Sequence, residues 1–334
     1  MELKFIGPAG VEEHPAEAIA ELLSRPDGLV WLDIPTWDDQ AEVLLRDVFS
    51  FHPMAIRDCA QRNQVPKVHV YPDHVFLVLH APQAGAAGHV HSIELDQFIG
   101  TRYLVTVHGP LSSAADPAAA RLEVDAVSKR LASGKLRPRQ AYEISYALAS
   151  AVAGRLRGFI ARLTADMWNL EYRFQAVVKA GPAGHLREPE LFLDELFAAR
   201  HGFMVARTQA AMSREVFARM YKIKAFGRGR GQKRIGDAVD QFDHLRAMAD
   251  GEKENLQGTI EFYQARTNTK VTVAAERLAV IAAITLPVTA VSSILGMNVI
   301  VNDATQPVEL AIAVLAMIVM SAVLLVWAKR RGWW

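Results

Sequence analysis

The sequence predicts an α+β domain, a mixed sheet flanked by helices, followed by a long stalk helix and two C-terminal membrane-spanning helices. Three observations carry this. Residues 1–135 alternate β-branched and aromatic runs with amphipathic stretches, the pattern beyond Pro138 is helical, and two charge-free runs stand near the C-terminus. Those runs are Leu278–Met297, 20 residues, and Leu310–Ala328, 19 residues. Each is long enough, at ~1.5 Å per residue, to cross a hydrocarbon core of ~30 Å. No comparable run precedes Val271, so a large soluble part with a two-span anchor is expected.

The opening stretch "MELKFIGPAGVEEHPAEA" has no basic n-region, no apolar h-region and two adjacent glutamates. It predicts no secretory leader and a soluble part that stays in the cytoplasm. Strands are expected at Gly28–Pro35, within Pro66–His80, at Ser92–Gly100 and at Arg102–His108, bounded by Gly, Pro and Asp. Between them "HPAEAIAELLSR" and "TWDDQAEVLLRDVF" read as amphipathic helices, the second opened by a capping box of Thr36 and Asp39. Residues 1–135 thus form a cytoplasmic α/β domain, and 136–234 a pair of long cytoplasmic helices. The first of these runs from about Gln140 to Ala180 and stops at "AGPAGH"; the second runs from about Glu188 to Phe226 and stops at "GRGRG".

A third helix starts near Ile235 and meets no strong breaker before Gly296. Gly251 and Gly258 weaken it and Pro287 kinks it, which a membrane helix tolerates. Asp237 to Met297 is 61 residues, or roughly 90 Å of continuous helix. The segments are therefore a stalk helix over 235–297 that becomes the first span at about 275–297, a short extracytoplasmic loop at 298–307, a second span at 308–329 and a basic tail at 330–334. The loop holds no Lys or Arg, whereas Arg266, Lys270 and Arg277 precede the first span and "AKRRGWW" follows the second. Basic residues on one side place both termini in the cytoplasm of a multi-pass inner-membrane protein. Trp327, Trp333 and Trp334 suit the membrane interface.

One pair of spans cannot enclose an aqueous path, so either the spans tether a soluble domain or several copies assemble about an axis. Thr272, Ala275, Leu278, Ala282, Leu286 and Thr289 follow at steps of 3, 3, 4, 4 and 3, which puts them on one helical stripe. Small and hydroxylated residues of this kind also make ordinary helix-packing seams. Other chemistry finds little support. A net charge of +1 points to no nucleic acid. Cys59, the one cysteine, allows no internal disulfide and suits a reducing compartment. No Ser/His/Asp or Cys/His arrangement argues for an enzyme, and no organic cofactor is expected. "GRGRGQKR" at 227–234 lacks a preceding strand and reads as a basic turn. Six of the eleven histidines lie between His69 and His108; strand alternation puts His89 and His91 on one face, which keeps a transition metal open, but without a third ligand surface histidines are expected.

Gly296, Met297 and Asn298 close the first charge-free run, nine, ten and eleven residues after Pro287. With "LPVTAVSSIL" before it, a very short loop after it and a basic tail, this triplet resembles the mark of the CorA family of divalent-cation transporters, which includes ZntB-like zinc members. "DAVDQFDHLRAMADGEKENLQGTIEFYQARTNTK" looks like that family's stalk, and "QVPKVHVYPDHVFLVLH" like its Arg-Pro-Lys-Val strand pair, with Val65 in place of the Arg. The resemblance covers nearly the whole chain. It implies a homopentameric funnel in the lipid bilayer, with first spans lining a central pore for Mg²⁺ influx, Co²⁺ and Ni²⁺ passing too. A ZntB-like zinc transporter is the alternative within the family; a non-conducting, membrane-tethered sensor or scaffold is the alternative outside it.

The resemblance makes Gly296, Met297 and Asn298 the selectivity filter. Mg²⁺ gives up its waters reluctantly, and amide oxygens of Asn298 can hold the hydrated ion without the deep trap of a carboxylate ring. Pore-lining roles fall to Ile294, Thr289, Leu286, Leu278, Ala275 and Thr272, all but Ile294 on the stripe above. Asp237 and Asp240 take the place of the family's regulatory Mg²⁺ carboxylates. Their partner loop, "APQAGAAGHV" at 81–90, has no acid, which turns attention to Glu94 or Asp96 as partners, or to different gating. "QPVEL" replaces the family's Met-Pro-Glu, leaving Asp303 and Glu309 as the outer acids to attract cations or, for Glu309, to complement a helix N-terminus.

Overall fold

The computed structural model describes residues 1–61, 63, 65–109, 111, 115–179, 189–223, 230–296 and 307–330. It divides into two compact units, Met1–Gly258 and Thr259–Trp334. In the first unit seven strands, β1 (Glu2–Gly7), β2 (Gly10–His14), β3 (Leu29–Ile34), β4 (Lys67–Val70), β5 (Val75–Ala84), β6 (Val90–Ile99) and β7 (Tyr103–His108), form one sheet. Its order is β2-β1-β3-β7-β6-β5-β4. β3 and β7 run parallel, with Val30 opposite Tyr103 and Asp33 opposite Thr106. The other pairings are antiparallel.

Strand alternation gives the sheet two different faces. Phe5, Val30, Leu32, Phe76, Val78, Phe98, Val105 and Val107 point to one side, where they pack against residues of α1 (Ile19–Ser24), α2 (Asp39–Val43) and α3 (Pro53–Ala60). Gly28 is needed at the edge of this core, because a Cβ there would stand 2.3 Å from the Phe5 ring. On the opposite side the sheet meets α5 (Ala141–Lys179), with α4 (Leu122–Ala132) packed beside it.

α6 (Pro189–Met220) runs antiparallel to α5. Gly202 meets Leu163, while further along Phe192 stacks on Phe174 and Glu195 pairs with Arg173 at 2.6 Å. α7 (Arg230–Gly296) then turns back along α6: Asp243 pairs with Arg214 at 2.9 Å and Asp250 with Arg207 at 2.6 Å. α8 (Pro307–Arg330) closes the described chain.

Several local expectations need correction. Leu3 to Ile6 form a buried strand, and Glu2–Gly7 with Gly10–His14 make a hairpin that the N-terminal polarity conceals. The helix at α2 is capped by Asp38, whose Oδ1 accepts from the Ala41 amide at 2.7 Å; Thr36 and Asp39 form no capping box. β5 continues to Ala84, so the turn before β6 is Gly85–His89, with Ala87 in the left-handed region at φ 50°. "GRGRGQKR" is in part helical, since Arg230–Arg234 open α7; its first three residues lie outside the described ones.

Candidate functional site

α7 and α8 each contain a stretch long and apolar enough to cross a membrane. Beyond Lys270, the half-buried and buried positions of α7 among the described side chains are Val280, Ile284, Pro287, Val288 and Val291. At 3.6 residues per turn they span an arc of roughly 100°. On α8 the corresponding positions are Ala313, Met317, Met320, Ser321, Leu324 and Ala328, again one stripe. Ser292 Oγ reaches Met317 Sδ at 3.3 Å. Counting from that contact in an antiparallel pair, Val288 falls level with Ser321, and Ile284 and Val280 fall within one residue of Leu324 and Ala328. The two stripes are therefore the faces along which the helices pack.

The sequence-derived stripe lies elsewhere on α7. Ala275, Leu278, Ala282, Leu286 and Thr289 centre roughly 180° from the α8-facing arc, with Thr272 at the margin. All six are exposed within the chain, Leu278 at 67% and Leu286 at 66%, against 5% for Val280. So the stripe is no seam between this chain's own two spans. Thr289 and Thr272 keep their hydroxyls on the carbonyls of Thr285 (2.8 Å) and Asn268 (3.0 Å), leaving oxygen lone pairs outward on the stripe. Gly296 is the last residue of α7, and among the described residues a Cβ there would meet nothing within 4 Å. Ile294 and Glu309 are helical. Met297, Asn298 and Asp303 lie outside the described residues.

In the first unit Asp237 is half-buried and Asp240 exposed on α7. No hydrogen bond or ion pair holds either among the described residues, and no group of three or more His, Cys, Asp or Glu gathers there in metal-binding geometry. Glu94 and Asp96 are not surface partners for them. Both point into the apolar face of the sheet under α3, 2% and 0% exposed. Glu94 accepts from the Asn63 backbone at 2.8 Å and from its side-chain amide. Burial pushes the Glu94 carboxyl up in pKa against those bonds. Burial, then the Glu94 charge, raises Asp96 well above the carboxylate range, and burial with Asp96 does the same to the Cys59 thiol. Burial thus disfavours charge throughout this pocket.

The other face carries a second polar group. His108 Nε2 lies 3.0 Å from Asp33 Oδ1, and Thr106 Oγ1 donates to the same oxygen at 2.5 Å. Arg155 donates to the Pro82 and Ala119 carbonyls at 2.9 and 2.7 Å and pairs with buried Glu123 at 3.2 Å. The expectation of surface histidines holds for His69 and His89, which are exposed, and fails for His74, His80, His91 and His108, which are buried. His89 and His91 do share a face, their rings 4.6 Å apart and edge-on.

The family model of the CorA-like Mg²⁺ transporter proteins matches residues 26–331. The "Putative metal ion transporter YfjQ" of Bacillus subtilis (strain 168) is 24% identical over 322 residues, 94% of this chain and 92% of that protein. The complete structure of the CorA magnesium transporter from Methanocaldococcus jannaschii matches with a TM-score of 0.80 at 15% identity, covering 100% of this chain and 99% of that one. The full-length CmaX protein matches with a TM-score of 0.63 at 19% identity, covering 100% and 98%. At these identities the structural likenesses establish the fold, and the match over nearly the whole length establishes the rest: the chain belongs to the CorA family of divalent-cation transporters.

Proposed function

We propose that this chain is a channel-like importer of Mg²⁺, admitting Co²⁺ and Ni²⁺, that works as a homopentamer in the cytoplasmic membrane. The observation that carries the reading is the orientation of the stripe. Ala275, Leu278, Ala282, Leu286 and Thr289 face away from α8 and are exposed among the described residues. A surface of alternating small, apolar and hydroxylated residues on a membrane helix has two uses, lining a path or meeting another copy, and copies arranged about an axis satisfy both.

In this reading the hydrated ion meets a ring of Asn298 amides, with Gly296 and Met297 completing the filter. Thr289 then offers a second polar ring, and Leu286 and Leu278 narrow the path so that it closes by dewetting. Ala275, Thr272 and Ile294 complete the wall. Asp303 and Glu309 raise the local cation concentration at the outer mouth. Both termini are cytoplasmic, so the inside-negative potential drives entry with ~2.3 kcal/mol per elementary charge per 100 mV. Asp237 and Asp240 sense internal Mg²⁺ from the stalk, and the cytoplasmic part, residues 1–234, transmits its occupancy.

Ion influx into liposomes holding the purified protein tests this, with Mg²⁺, Co²⁺, Ni²⁺ and Zn²⁺ compared and Asn298→Ala alongside. Mg²⁺ should enter, and Asn298→Ala should flatten the order of preference. Absence of flux for every ion sinks the transporter reading, and Zn²⁺ outrunning Mg²⁺ replaces the substrate. In the same assay Asp237→Ala should weaken shut-off by internal Mg²⁺; an unchanged inhibition curve removes the regulatory role.

A further inference from the structure

Five threonine hydroxyls of α7 follow one rule. Thr267, Thr269, Thr272, Thr285 and Thr289 each donate to the carbonyl four residues back, at 2.8 to 3.0 Å. That is the default for a hydroxyl on a helix with no better partner. Ser292 departs from it. Its Oγ reaches across to the Met317 sulfur of α8 at 3.3 Å. The neighbouring Ser293 makes no such contact.

The departure matters because of what surrounds it. The facing stripes of α7 and α8 consist of Val, Ile, Pro, Ala, Met and Leu, with Ser321 the one other hydroxyl. In hydrocarbon such faces associate by dispersion alone, which sets the distance between two helices better than their relative height or rotation. A directional contact between hydroxyl and thioether fixes both, although sulfur is a weak acceptor. Ser292 stands one turn before Gly296, where α7 ends. Whatever rotation this contact imposes is passed to Gly296.

We infer that Ser292, through Met317, is a positioning residue for the Gly-Met-Asn filter: it sets the height and rotation at which α7 presents Gly296 and the two residues after it. The inference rests on the transport reading above. Ser292 touches no ion. Its influence is on selection among ions, not on whether the chain folds.

Influx into liposomes of the full-length protein tests this, with Ser292→Ala, Ser292→Thr, Met317→Leu and the double Ser292→Ala/Met317→Leu set beside wild type and Ser293→Ala. Interhelical hydrogen bonds in membranes are modest, so each disrupting single variant should shift the Mg²⁺/Co²⁺ influx ratio by about threefold. The double should shift it no further than either single, because both remove the same contact. Ser292→Thr, which keeps the hydroxyl, and Ser293→Ala should keep the wild-type ratio. A conducting protein whose ratio is unmoved by Ser292→Ala, or whose double variant adds the two single shifts, overturns the positioning role and leaves the transport reading intact. A wild-type protein that passes no divalent cation overturns both.

Discussion

Arg155→Met offers a quantitative check on how the soluble unit is held together. The guanidinium, 12% exposed, holds the Pro82 and Ala119 carbonyls at 2.9 and 2.7 Å and pairs at 3.2 Å with Glu123, which is 4% exposed. Methionine keeps most of the volume and removes every donor, leaving a carboxylate and two carbonyls unmatched under α5. Breaking one partner out of a buried ion pair costs about 3–5 kcal/mol. For a domain of this size that is roughly a 10 °C fall in melting temperature, read by tryptophan fluorescence on the detergent-solubilised protein. The loss should also depend on pH. Burial already raises the Glu123 pKa, and Arg155 opposes the rise, so the variant's Glu123 lies higher still. A raised folded-state pKa contributes stability that is present below the unfolded value and lost as pH rises through the folded one. The deficit of Arg155→Met should therefore be smaller near pH 4.5 than at pH 8, and adding Glu123→Gln should remove that dependence. A deficit under about 1 kcal/mol at neutral pH, or one equal at both pH values, would refute the reasoning.

Three further outcomes are expected. Leu286→Asn should raise influx at high internal Mg²⁺ by polarising an apolar constriction, yet shift the melting temperature by no more than about 2 °C, because the side chain is 66% exposed in the chain; a large loss of stability with no gain in flux would mark the stripe as packing only. Asp96→Asn should flatten the pH dependence of melting: burial holds the Asp96 pKa well above its ordinary value, so wild type should lose stability as pH rises through that raised value, and an unchanged slope in a melting series from acid to alkaline pH would count against it. Asp38→Ala should cost about 1 kcal/mol by denaturant titration and Thr36→Ala almost nothing, since Asp38 alone caps α2; the reverse order would restore the capping box.

The parts of the fold that sequence discloses are those where one physical signal acts alone. The long helices have few breakers, so α5 is helical over the whole of Ala141–Lys179, and α8 covers the charge-free run Leu310–Ala328. β1 was hidden because "LKFI" is too short to show a period and lies beside an acidic hairpin arm. α3 and α4 were passed over because their amphipathic stretches are only 8 and 11 residues long. At the site, the 3- and 4-residue steps from Ala275 to Thr289 gave the stripe. They could not say which way it faces, since that depends on the register of α8, set by a contact 25 residues away in sequence. The buried acids did leave a trace. In "SIELDQFIG" Glu94, Asp96 and Phe98 alternate onto one side, and a strand face shared by two acids and an aromatic is a sign of burial with neutral carboxyls more than of a metal site.

That placement bears on regulation more than any other feature of the first unit. A divalent cation held between copies needs carboxylates that are ionised and within reach of a neighbour. Glu94 and Asp96 are enclosed under α3, out of a neighbour's reach, and burial disfavours the charged form of each. The turn at Gly85–His89 carries no acid, and it presses on α6, where a Cβ at Gly88 would stand 2.3 Å from the Ala198 side chain. Asp237 and Asp240 are stalk acids with no ion pair of their own among the described residues, a state they share with Glu252, Glu254 and Glu276. Two carboxylates three residues apart on one helix face can share a hydrated ion only loosely. A sensor of this design would respond at higher internal Mg²⁺ than one closed by an acid from the facing turn. Placing an acid there, as in Ala86→Asp, should then lower the concentration at which Mg²⁺ shuts the pore, and an inhibition curve that stays in place would move regulation away from Asp237 and Asp240 altogether.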